Sequence, residues 1–184
     1  VTHRPLHTLA LALLTVTLIS AGPGDKSPKK SKSAKKSARK LKETVKRLPL
    51  EQARQRARLL HDLYETTLLT MHRHYFKPDK KQSIPSHAME DIFYRINRRW
   101  NVKARWLVVS AQAMNIDHQP QNVFEKTAAR LLGSGKTKEY EEIKDGTYRR
   151  AGPIILFASC IRCHMSQRRN PVAGLVLSLP IKPD

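Results

Sequence analysis

The segment TYRRAGPIILFASCIRCHMSQRRNPVAGLVLSLPI, residues 147–181, holds two apolar runs separated by a cysteine pair and a short basic stretch. Leu175, Leu177 and Leu179 alternate with Val176 and Ser178, which is the period of a strand with one buried face. The run over 147–157 follows Asp145-Gly146, a turn signal, and also reads as a strand. Strands are therefore expected over 147–157 and 174–181. Between them, Cys160-Ile161-Arg162-Cys163-His164 sets two thiols three residues apart with an imidazole directly after the second.

That spacing is the attachment pattern of a c-type haem. Two thiols about one helical turn apart can add to the two vinyl groups on one porphyrin edge, and the histidine can fold beneath the ring as the proximal iron ligand. Three other uses of the cysteines are less complete. A disulfide across so short a loop stabilises little. A structural zinc needs about four ligands, and no second Cys or His pair stands at the required spacing. A thioredoxin-type pair opens a helix inside a strand-helix-strand unit, of which only the leading strand is present. The motif thus predicts one covalent haem c held by Cys160 and Cys163, with His164 on the iron.

Upstream, Ala53, Ala57, Leu60, Tyr64, Leu68, Met71 and Tyr75 recur at steps of three and four, so a long helix is expected, ended by Lys77-Pro78-Asp79. Met89, Ile92, Phe93, Ile96 and Trp100 mark a second helix after Pro85-Ser86, with Asn101 as its stop. Trp106, Leu107, Val108 and Val109 predict a strand over 105–111. A polar loop with Asp117, His118 and Pro120 then leads to a short helix over 122–132, ended by Gly133 and Gly135. The class is α+β with few strands.

The N-terminus predicts export. His3 and Arg4 precede an apolar run over 9–19 and Ser20-Ala21-Gly22, the anatomy of a signal peptide cleaved after Ala21. That run is shorter than the roughly 20 residues of a membrane-spanning helix. An uncleaved anchor is the alternative. Residues 22–48 carry eleven Lys and Arg against Asp25 and Glu43, and no large apolar residue precedes Leu41. Such a segment cannot bury enough to offset chain entropy, so it is expected as a disordered linker. Behind an export signal its charge suits an anionic membrane or cell-wall polymer, and no nucleic acid partner is expected. The organisation is therefore signal peptide 1–21, Lys-rich linker 22–48 and a single c-type haem domain 49–184, in a periplasmic or otherwise exported protein.

From about Leu59 to Ile181 the chain resembles a family of periplasmic single-haem domains with a PAS-like fold, found alone or as sensory parts of bacterial signalling proteins. Ala113-Met114-Asn115 with Pro120, Phe124-Glu125-Lys126, and Tyr148-Arg149-Arg150-Ala151 leading to the cysteine motif carry the likeness. The resemblance implies a small antiparallel sheet with the long N-terminal helix alongside, and haem attachment at Cys160 and Cys163 with His164 on iron. The chain departs from the sensor members by ending shortly after one domain. It is expected to act alone or with a separate redox or signalling partner.

One haem suits electron transfer, or sensing of redox state or a small ligand, and the sixth iron position separates these. His72, near the apolar stripe of the first helix, ranks first as distal ligand, His118 second and Met114 third, with an open position as the alternative. Met165 follows His164 too directly to reach the opposite face. Ser110, Asp117 and His118 form no nucleophile motif, so an enzyme is not expected. His61 and His87 read as surface or helix-face residues, and Trp100 and Trp106 as core or cavity walls. The competing reading is an exported basic protein whose Lys-rich tail binds anionic polymers or membrane, with no haem.

Overall fold

The computed structural model describes residues 47–77, 80, 83–110, 115–161, 164 and 171–183. The expected signal peptide, the linker up to residue 46, Met114 and Cys163 lie outside them. The described part is α+β. Helix α1 (Leu50–His74) and helix α2 (Pro85–Trp100) precede strand β1 (Lys103–Leu107). A 3-10 turn (Ile116–His118) and helix α3 (Val123–Gly133) follow. Strands β2 (Tyr140–Lys144) and β3 (Thr147–Ile155), the short helix α4 (Ala158–Ile161) and strand β4 (Val172–Pro180) complete the domain. No helix among the described residues is long and apolar enough to cross a membrane.

The strands form one antiparallel sheet in the order β1-β4-β3-β2. Strand β4 is central because its alternation buries both faces: Leu175, Leu177 and Leu179 are wholly buried under α1 and α2, and Val176 faces α3. Strand β2 escaped the sequence reading, since Glu141 and Glu142 are poor strand formers. It forms as an edge strand because Asp145 and Gly146 both take positive φ, 51° and 66°. Those angles make the tight hairpin turn that folds it onto β3.

Two boundaries move from their expected places. The domain reaches back past residue 49: Leu48 is buried and bridges Ile181, while Arg47 donates to the Ile181 carbonyl at 3.1 Å. The first strand runs over 103–107 rather than 105–111. Val108 leaves the sheet because its N–H is taken by the His118 carbonyl at 2.8 Å.

The inner stripe of α1 is Ala53, Ala57, His61, Tyr64 and Leu68. His61 is therefore a core residue, not a surface one, and Tyr75 is exposed because the helix ends at His74. Trp100 is also exposed rather than a core or cavity wall. The His61 ring lies against Gly152, with Nε2 donating to the Pro153 carbonyl at 3.1 Å. A Cβ on Gly152 would sit 2.6 Å from His61 Cε1 and 3.0 Å from Arg150 Nη1. Gly152→Ala is accordingly expected to lower stability by about 1–3 kcal/mol, the usual cost of overpacking, read from the denaturant midpoint. An unchanged midpoint would show that the helix can lift off without cost.

Burial, reinforced by the Arg150 guanidinium, holds the His61 pKa below its ordinary value. The fold thus prefers the neutral ring. Above about pH 6.5 both folded and unfolded states are neutral there; as pH falls, the unfolded chain takes up the proton first and stability is lost down to the depressed folded value. His61→Gln is expected to flatten this dependence when midpoints at pH 5.5 and 7.5 are compared. An unaltered slope in that variant would exclude His61 as its source.

Candidate functional site

At the end of the sheet where β3 finishes and β4 begins, a cavity of about 620 Å³ opens beneath the last turns of α1 and the first turn of α2. Its walls are mostly apolar. Leu68 and Leu69 come from α1, Ile84 precedes α2, Trp106 and Leu107 come from β1, and Ile154 and Ala173 from the sheet centre. A volume in the range of roughly 300–1,000 Å³ with a few polar groups on apolar walls is that of a small-molecule or cofactor site. Trp106 is fixed as a wall by its indole N–H, which donates to the Ser86 carbonyl at 3.1 Å, and by packing against Phe93.

Four residues singled out from the sequence meet on this cavity: Cys160, His164, His72 and His118. Cys160 and His164 are tied through backbone hydrogen bonds at the end of α4. The Cys160 N–H donates to the Phe157 carbonyl at 2.9 Å, and the His164 N–H donates to the Cys160 carbonyl at 2.9 Å. Cys160 is buried. The ends of the strands that flank the motif are fixed, with the Leu156 N–H on the Pro171 carbonyl at 3.1 Å and the Val172 N–H on Ser110 Oγ at 2.8 Å. Cys163 and Met114 lie outside the described residues.

The other two histidines on the cavity are tethered differently. His72 continues the inner stripe of α1 and bonds through Nδ1 to the Leu68 carbonyl at 3.0 Å, and among the described residues Nε2 has no hydrogen-bond partner. His118, on the 3-10 turn, bonds through Nε2 to Glu90 on α2 at 2.7 Å. Burial, and then the neighbouring His72 and His118, hold the His164 pKa below the ordinary histidine value. The three rings therefore share one electrostatic environment, and neutral His164 is the favoured form. A neutral imidazole is the form that binds a metal.

The supports of His118 were not legible in the sequence. Glu90 lies 28 residues away on another helix. Arg105 on β1 donates to the Asp117 and Gln119 carbonyls that flank His118, and to the carboxylate of Glu125. Glu125 is buried at the start of α3, where its carboxylate also accepts the Gln121 N–H at 2.7 Å and its own N–H is capped by Asn122. Among the described residues no group of three or more His, Cys, Asp or Glu is gathered tightly enough to hold a bare metal ion. A macrocycle brings most of its metal's ligands with it and needs only one or two from the protein.

The Tll0287-like family model matches residues 46–175. The fold is similar to the crystal structure of the cyanobacterial haem protein Tll0287, with 8% sequence identity, a TM-score of 0.53, and coverage of 72% of this chain and 98% of that one. No curated protein matches the chain.

Proposed function

Since the chain belongs to the Tll0287-like family, we propose that it is an exported single-haem c-type protein, with thioether bonds from Cys160 and Cys163 and His164 on the iron. The observation that carries this reading is the convergence of Cys160, His164, His72 and His118 on one apolar cavity. The bound group would supply a reversible one-electron change at a buried iron, which serves electron transfer or the sensing of redox state or a small ligand. The chain's own residues shape the pocket, exclude water and hold the rings. A separate redox or signalling protein is the proposed partner, and the Lys-rich segment before residue 48 is the proposed contact with an anionic membrane or cell wall.

His72 is the proposed distal ligand. A ligating histidine usually donates its second ring nitrogen to a carbonyl or carboxylate, which sets the tautomer and orients the free nitrogen. His72 has that arrangement, with Nδ1 on Leu68 and Nε2 left over. His118 has Nε2 engaged by Glu90, so only the more hindered Nδ1 remains. The protein is expected to be coloured, with its haem surviving denaturing electrophoresis; a colourless product that binds anionic polymers would favour the tail-only reading. His72→Ala is expected to convert the reduced spectrum and magnetic resonance to those of an iron that has lost an axial nitrogen, while His118→Ala preserves the ligand set. The reverse pattern would transfer the assignment to His118, and wild-type coordination in both variants would leave neither as ligand.

A further inference from the structure

A second cleft, of about 760 Å³, runs from α2 over the edge strand β1 onto the sheet face beyond the contact with α3. Helix α3 packs against Leu107, Ala151 and Val176. Two residues further along the same face of their strands, Ser178 follows Val176 and Arg149 precedes Ala151, because side chains at i and i+2 share a face. Lys103 completes the row: it stands opposite Ser178 on one side, and Arg149 stands opposite Ser178 on the other. With neighbouring strands about 4.8 Å apart, the two cationic residues are spaced about 10 Å apart with a hydroxyl midway between them.

This row is not balanced from within the cleft. Lys103 has no ion-pair partner and the Ser178 hydroxyl no hydrogen bond among the described residues. Among the described residues Arg149 pairs with Glu142, on the outer strand, at 3.4 Å. Three carboxylates line the cleft: Glu90 is committed to His118 and Glu125 to Arg105, while Asp117 stands on the 3-10 turn, outside the row of Lys103, Ser178 and Arg149 on the sheet. Asn97 adds an amide at the α2 wall, and Phe124 and Val176 supply an apolar floor.

We propose that this cleft is a binding site for a small organic carboxylate, its charged group seated over Ser178 between Lys103 and Arg149 and its short apolar body against Phe124 and Val176. Charge-assisted hydrogen bonds from Arg and Lys to a carboxylate are the strong kind, and the hydroxyl fixes their register. The apolar floor selects a carbon-bearing anion over a bare inorganic one. Trp106, Asn115 and His118 line both this cleft and the first cavity, so an occupant here adjoins a wall of the other site.

The test is calorimetric titration of the full chain with butyrate and with succinate, using inorganic phosphate and chloride at matched ionic strength as comparators. Saturable one-site binding of a carboxylate is expected, weakened about ten-fold or more by Lys103→Met and by Arg149→Gln, because each removes a hydrogen bond to a charged group. Lys103 is exposed, so its replacement leaves the fold intact, which circular dichroism verifies. No saturable binding at millimolar carboxylate, binding equal in Lys103→Met, or equal binding of phosphate would overturn the proposal.

Discussion

Cys160→Ala is expected to leave little or no haem covalently retained when the protein is produced with c-type maturation machinery, and His164→Ala to lose the native spectrum. The sequence contains two cysteines, so no third thiol can replace a lost tether. Cys160 is buried on the cavity wall, and its backbone carbonyl accepts the His164 N–H, so the proposed anchor and the proposed proximal ligand are tied to each other through the backbone. Replacing a thiol by a methyl group removes the reactive atom and little volume. The fold should therefore survive, which separates loss of attachment from loss of structure. The measurements are haem staining after denaturing electrophoresis and circular dichroism on the same sample. Normal covalent haem yield in Cys160→Ala would sink the attachment reading.

Arg105→Met is expected to destabilise the domain by about 3–5 kcal/mol, the cost of leaving a buried charge without its partner. The Glu125 side chain is 5% exposed and its counter-ion Arg105 26% exposed. The Gln121 N–H remains as a partner for the carboxylate, but it carries no full charge. The same substitution takes the guanidinium from the Asp117 and Gln119 carbonyls and leaves Asp117 only the 3.4 Å bond from Gln121 Nε2, so the turn bearing His118 should loosen and any signal from the cavity shift with it. Adding Glu125→Gln should recover much of the lost stability, because the double variant no longer buries an unpaired charge. A single-variant midpoint within about 0.5 kcal/mol of wild type, as for an ordinary surface change, would refute the buried-pair account.

The two sides of the fold differ in how far local chemistry specifies them. Apolar steps of three and four along residues 53–68 and the alternation of Leu175, Leu177 and Leu179 are properties of short windows, so α1 and β4 were legible. So was Asn101 as the stop of α2, whose left-handed φ of 54° an asparagine tolerates. Strand β2 was not, because its pairing depends on β3 already being in place and Glu141, Glu142 and Lys144 outweigh Tyr140 and Ile143 in so short a window. His61 was read as a surface or helix-face residue, and its burial was not legible because nothing within its helix distinguishes a histidine facing Gly152 from one facing water.

The candidate site divides in the same way. Cys160, Cys163 and His164 are adjacent in sequence, and their chemistry follows from spacing alone. His72 was recognisable as a neighbour of an apolar stripe, and no more than that. What the tertiary structure decided was which ring nitrogen of His72 and of His118 is already bonded among the described residues. His72 is tied to a carbonyl one turn back in its own helix, whereas His118 is held by Glu90 from another helix and by a turn that Arg105 fastens. Those partners are 28 and 13 residues from His118 in the chain, and only the packing of α2 and β1 brings them to it. Spacing along a chain determines what a single turn or strand can do; the hydrogen bonds that orient a ligand come from segments whose proximity is set by the burial of the whole sheet.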